Sequence, residues 1–95
     1  MYFLTSIICK EFGCPPLGAT RTWGYYSKYE DAYTAALENR FNMIECLYDY
    51  LVIEKMSEGI PAMCEKEVWF KEENNKWVPC DRPAEVLGTC HWAIG

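Results

Sequence analysis

The stretch Arg21 to Phe41, RTWGYYSKYEDAYTAALENRF, constrains the fold most, because a strand pattern gives way to a helix pattern within a few residues. Thr22-Trp23-Gly24-Tyr25-Tyr26 carries the aromatic and hydroxyl-bearing side chains that suit a pleated, half-buried surface. Ser27 stops it. Glu30 follows three residues later, so the pair is a candidate capping box, in which hydroxyl and carboxylate each satisfy an otherwise orphan backbone N–H. Glu30 and Asp31 also fall in the first turn, at the positive end of the helix dipole. Tyr29, Ala32, Tyr33, Ala36, Leu37 and Phe41 then recur at helical spacing, while Glu30, Asp31, Thr34, Glu38 and Asn39 take the other side. The spacing predicts an amphipathic helix of about three to four turns. Its small residues Ala32 and Ala36 let it lie close against a sheet.

Before this stretch, Tyr2 to Cys9 is apolar on both alternating faces, the pattern of a strand interior to a sheet. Lys10 to Thr20 is a loop punctuated by Gly13, Pro15-Pro16 and Gly18, of a length that often meets ligands. After the helix, Asn42 to Cys46 fits either a helical tail or a connector. Leu47 to Ser57, LYDYLVIEKMS, reads as a central strand. Lys66 to Val78 reads as a hairpin turning at Asn74-Asn75. Pro79 and Pro83 break that run, Ala84 to Leu87 fits one helical turn, and Thr89 to Ile94 fits a final strand. The order strand, strand, helix, strand, hairpin, strand implies a single α+β domain over residues 1–95. Its sheet is antiparallel or mixed, of about five to six strands, with one main helix packed on one face.

A chain of 95 residues buries only about two-thirds of its unfolded surface. One helix leaves the other sheet face and many aromatics to be covered, so a homodimer is expected. The net charge is −5 and the basic residues stand singly. This argues against a nucleic-acid binder, which tracks phosphates with clustered Lys and Arg. An acidic surface can meet a basic protein face, although solubility alone explains a charge of this size. Met1 to Cys9 lacks the layout of a signal peptide or a membrane span, so the chain is read as cytosolic. On that reading the six cysteines are buried thiols acting as small hydrophobes, and no CxxC pair suggests zinc.

Catalytic chemistry is thinly represented. His91 is the single histidine, and its neighbour Cys90 would point to the opposite face of a strand, which disfavours a dyad. Paired carboxylates are conceivable for Glu54 with Glu67 or Glu72 across strands, although solvated faces are the plainer reading. There is no Gly-rich phosphate loop and no HExxH. The chain is therefore expected not to be an enzyme, with no catalytic residue, no metal and no cofactor. The candidate ligand-binding set is Arg21, Trp23, Tyr25 and Tyr26 beside the Pro/Gly loop: aromatic faces stack on bases, and arginine pairs with phosphate. Trp69, Trp77 and Trp92 stand elsewhere in the sheet, and for any strand aromatic the plainer reading is core. Arg21, Arg40 and Arg82 are the only arginines, which makes each worth testing.

At RTWGYYS with its Ala-rich helix, then YDYLVIEKMSEGI, WFK and the C-terminal AIG, the sequence resembles a family of small uncharacterised proteins. They are carried by phages and mobile elements of gut Gram-positive bacteria. The resemblance covers nearly the whole chain and implies a setting, the cytoplasm of a bacterial host cell, but no activity. Accessory proteins in that setting often counter antiviral defence by sequestering a nucleotide messenger or by blocking a defence protein. Both partners are carried forward as expectations. A regulatory interaction module unrelated to defence and a small hydrolase of a nucleotide signal are the alternatives.

Overall fold

The computed structural model describes residues 1–9, 19–42, 44, 47–59, 63–84 and 86. Five strands, β1 (Tyr2–Ile8), β2 (Ala19–Tyr26), β3 (Tyr50–Met56), β4 (Cys64–Glu73) and β5 (Lys76–Cys80), form one sheet in the order β2-β1-β3-β4-β5. Every neighbouring pair is antiparallel. A single helix, α1 (Tyr29–Leu37), links β2 to β3, and a short 3₁₀ turn at Arg40–Asn42 follows it. β1 lies between the two strands that α1 connects, which makes the unit a split βαβ. The architecture is α+β, with an antiparallel sheet and the helix on one face.

The two strands apolar on both sides, β1 and β3, occupy the interior of the sheet. Leu4, Leu51, Ile53, Phe70 and Trp77 meet α1 on one face, while Ile7, Val52, Trp69 and Val86 cluster on the other. Both clusters are buried within the single chain. The uncovered second face that suggested a homodimer is thus already packed at these positions.

Several local expectations need correction. The Ser27/Glu30 capping box does not form: Lys28 is the N-cap, with extended backbone and no side-chain cap bond. The helix is also shorter than its apolar spacing suggested. It ends because Asn39 enters the left-handed region at φ 50, a conformation that asparagine tolerates and that terminates helices. The Asn39 side chain then accepts hydrogen bonds from Trp77 Nε1 at 3.0 Å and from the Ile44 amide at 3.2 Å. Its inward face is turned from the expected one as well. Ala32, Ala35 and Ala36 are buried, whereas Leu37 is 49% exposed. Tyr33 keeps the inward side that the spacing gave it and meets Phe70, with ring centroids 5.5 Å apart, an aromatic contact beside the alanine seam.

The hairpin turns at Asn74-Asn75, both left-handed at φ 52 and φ 64, the pairing that a type I′ turn requires. Pro79, expected to break the run, lies within β5. An edge strand accommodates it because its missing N–H costs no ladder bond there. The strand expected from Leu47 begins at Tyr50, since Leu47 is left-handed at φ 67. Asp49, next to β3, donates its amide to Ile7 O and accepts from Cys9 N through its carboxylate at 2.7 Å. Most of the Pro/Gly loop, the Ala84–Leu87 turn in part and the Thr89–Ile94 strand lie outside the described residues.

Candidate functional site

β2 carries a bulge. Leu4 pairs with Gly24 and Thr5 with Thr22, so Trp23 is the extra residue with no partner across the ladder. A bulge re-aims a side chain and tightens the local twist. Here it brings Trp23 to the α1 face, where it packs against the core cluster that includes Leu4 and Leu51. The indole N–H donates to Ser6 Oγ at 2.6 Å. Tyr48 meets the ring edge-on at 6.0 Å, and the Arg21 guanidinium lies 4.1 Å from the ring centroid. Trp23 is therefore held in one orientation by a hydrogen bond, an aromatic edge and a cation–π contact.

Beside it, small residues leave space. Gly24 stands opposite Leu4, and a Cβ built there would meet no heavy atom within 4 Å. Ala35 faces the same gap from α1. The result is a cavity of about 210 Å³ lined by Leu4, Trp23, Gly24, Tyr25, Tyr26, Ala35 and Arg40. Arg40 comes from the 3₁₀ turn after α1, and its Nη1 donates to the Tyr26 hydroxyl at 3.1 Å. Its Nε donates to Glu38 Oε2 at 3.0 Å. Both contacts hold the guanidinium further above its ordinary range, the Glu38 hydrogen bond most.

Of the four residues singled out in the sequence, Trp23, Tyr25 and Tyr26 border the cavity and Arg21 does not. Tyr25 borders it while its ring lies tilted against Phe3, centroids 5.5 Å apart, and the residue is 59% exposed. Arg21 acts on the site through Trp23. The cation on the cavity wall is Arg40, which sequence reading noted only as one of three arginines. Nothing local connects Arg40 to Tyr26; the early end of α1 does.

A second group of chemically competent side chains lies on the opposite face. Glu54 and Glu67 are directly paired across β3 and β4. With Cys64 they put three ligand-type atoms within 4.8 Å of one another. The expectation of a Glu54/Glu67 pair thus has its geometry, whereas Glu72 pairs with Trp77 instead. Glu54 is fully buried, Glu67 accepts from Trp69 Nε1 at 3.3 Å, and Arg82 approaches Glu67 at 3.6 Å. Burial, with the carboxylates of Glu54 and Glu67 alongside, pushes the Cys64 thiol up to about 11. Such a thiol is protonated at neutral pH and makes a poor nucleophile. Cys64 and Cys80 are half-buried and not disulfide-bonded. Cys9 is disulfide-bonded, so the reading of all six cysteines as buried thiols is corrected there. Cys90 and His91 lie outside the described residues.

Among the described residues no helix is long and apolar enough to cross a membrane. In comparisons with family models, curated proteins and solved structures, the chain matches none.

Proposed function

We propose that the chain is a non-enzymatic binding protein that holds a nucleotide-type small molecule in the cavity between β2 and α1 and acts by sequestering it. The observation that carries this reading is the juxtaposition of Trp23, Tyr26 and Arg40 on one cavity wall. An aromatic surface accepts a base by stacking, and a guanidinium accepts the anion attached to it. The size sets the scale of what is enclosed. Sites that enclose a drug-sized molecule run to about 300–1,000 Å³, so a cavity of about 210 Å³ takes one ring system and leaves the rest of the ligand at the mouth.

Sequestration is favoured over turnover by the lining itself. Among the described residues it offers aromatic rings, a leucine, two small residues and an arginine, and the nearby Glu38 carboxylate is engaged by Arg40. The biological role we attach, withdrawal of a nucleotide messenger of bacterial antiviral defence, rests on the family resemblance alone. Occupation of a protein surface is the second reading. It is favoured by Tyr25, a large exposed aromatic on β2, the strand that ends the sheet. A homodimer belongs to either reading as pairing along that edge.

The test is to mix the purified protein with cyclic dinucleotides, cyclic trinucleotides, cyclic ADP-ribose isomers and nucleoside monophosphates. Each free species is quantified by mass spectrometry before and after heat denaturation. Depletion followed by release of the intact molecule is expected. A linear or cleaved product would establish an enzyme, and no depletion across the panel would leave the protein-surface reading.

A further inference from the structure

We propose that the ligand's anionic group docks at a corner formed by Arg40 and Tyr26, where it displaces the carboxylate of Glu38. The site then prefers an aromatic heterocycle bearing a single phosphate. This rests on the reading that the cavity holds the ring, and it assigns the charged end of the same ligand.

Arg40 has five N–H donors. One goes to Glu38 and one to Tyr26, so three have no hydrogen-bond acceptor among the described residues. Because the Tyr26 hydroxyl accepts from Arg40, its own proton is directed elsewhere and can be donated to an anion beside the guanidinium. The corner thus offers a fixed cation and a fixed neutral donor 3.1 Å apart, both on the cavity wall.

Glu38 shows what chemistry this corner accepts: a carboxylate oxygen already lies 3.0 Å from Nε. Both side chains of that pair are about half exposed, at 51% and 53%. Such a pair is weakly held, because water screens it and two flexible side chains must be ordered. A phosphate monoester carries about −1.5 to −2 charge at pH 7 and three acceptor oxygens. It therefore outcompetes the single carboxylate for the fork of the guanidinium. A chain of net charge −5 disfavours longer polyphosphates. Glu38 acts as a built-in competitor that lowers the affinity of the corner for anions.

Calorimetric titration with the four common nucleoside 5′-monophosphates and their parent nucleosides tests this. The wild type is expected to bind one monophosphate at least tenfold more tightly than its nucleoside. Arg40→Gln should bring the two to equal affinity. Glu38→Gln should widen the preference about threefold or more through the monophosphate alone, with no such gain in an Arg40→Gln background. Both side chains are exposed, and unchanged thermal melting would show that the variants fold. A preference that survives Arg40→Gln, or one that Glu38→Gln leaves unmoved, overturns the corner. If nucleosides then still bind and Gly24→Val abolishes that binding, the cavity reading stands without it. If no nucleoside or monophosphate binds any form of the protein, the cavity reading falls and takes the corner with it.

Discussion

The indole N–H of Trp23 donates to the hydroxyl of Ser6 at 2.6 Å, across the bulge that separates their strands from regular register. Ser6 is fully buried on β1, an interior strand of the sheet. This one bond ties the wall of the cavity to the most protected part of the fold. Ser6→Ala removes the acceptor of this indole N–H and, with it, the hydroxyl that donates to Arg21 O at 3.4 Å. A loss of about 1–3 kcal/mol is expected from these two bonds, measured by urea unfolding, together with a shifted and broadened Trp23 indole resonance. An unchanged midpoint would show that the bulge, not the bond, orients the ring.

The cavity exists because Gly24 and Ala35 are small. Gly24→Val meets open space and replaces a residue that weakens strand interiors by roughly 0.5–1 kcal/mol relative to alanine. Folding should therefore be retained or improved while ligand affinity drops at least tenfold. Paired thermal melting and calorimetry check this, and retained affinity would place the ligand elsewhere.

The alanine face of α1 gives a contrast between adjacent residues. Ala36 is fully buried and Leu37 is half exposed. Ala36→Leu overpacks the helix–sheet seam and should destabilise by about 1–3 kcal/mol, whereas Leu37→Ala should change stability by less than about 0.5 kcal/mol. Equal effects in chemical denaturation would restore the inward face that the apolar spacing suggested.

The Cys64 thiol gives a pH dependence of known sign. Its ordinary value is 9.0 and burial, with Glu54 and Glu67 nearby, pushes it up to about 11 in the fold. Below pH 9 folded and unfolded chains both hold the proton, and this contribution to stability is fully present. Between 9 and 11 the unfolded chain ionises first, binds fewer protons and gains relative to the fold, so stability falls as pH rises. Cys64→Ala should flatten that decline in urea midpoints measured from pH 8 to 11. At pH 8 iodoacetamide should alkylate Cys64 roughly a hundredfold more slowly in the folded chain than in the unfolded one, in proportion to thiolate.

Much of the fold was legible because its signals are local. Asn74-Asn75 between two β-rich runs can only turn tightly, and the two-sided apolar patterns of Tyr2–Cys9 and the 50s mark interior strands. The failures share a cause. Asn39 ends α1 because its side chain is held by Trp77, a partner 38 residues away. Leu37 faces solvent and Ala35 is buried instead, a choice made by packing against the sheet rather than by spacing. The site followed the same division. Trp23 and Tyr26 were visible as strand aromatics, but the bulge that turns Trp23 toward α1 depends on register with β1. Arg40 reaches Tyr26 only because the helix stops early. Glu54, Cys64 and Glu67 converge through the β3/β4 register, which residue spacing does not reveal.

The central claim is that ligand enters between β2 and α1. ¹H–¹⁵N correlation spectra of the labelled protein, titrated with whichever nucleotide the mass-spectrometric panel shows to be depleted most, test it most directly. The account predicts that among the tryptophan indole signals Trp23 moves, together with the amides of Gly24, Tyr26, Ala35 and Arg40. Shifts confined to Val52, Glu54 and Trp69 on the opposite face, or none at saturating nucleotide, would contradict it.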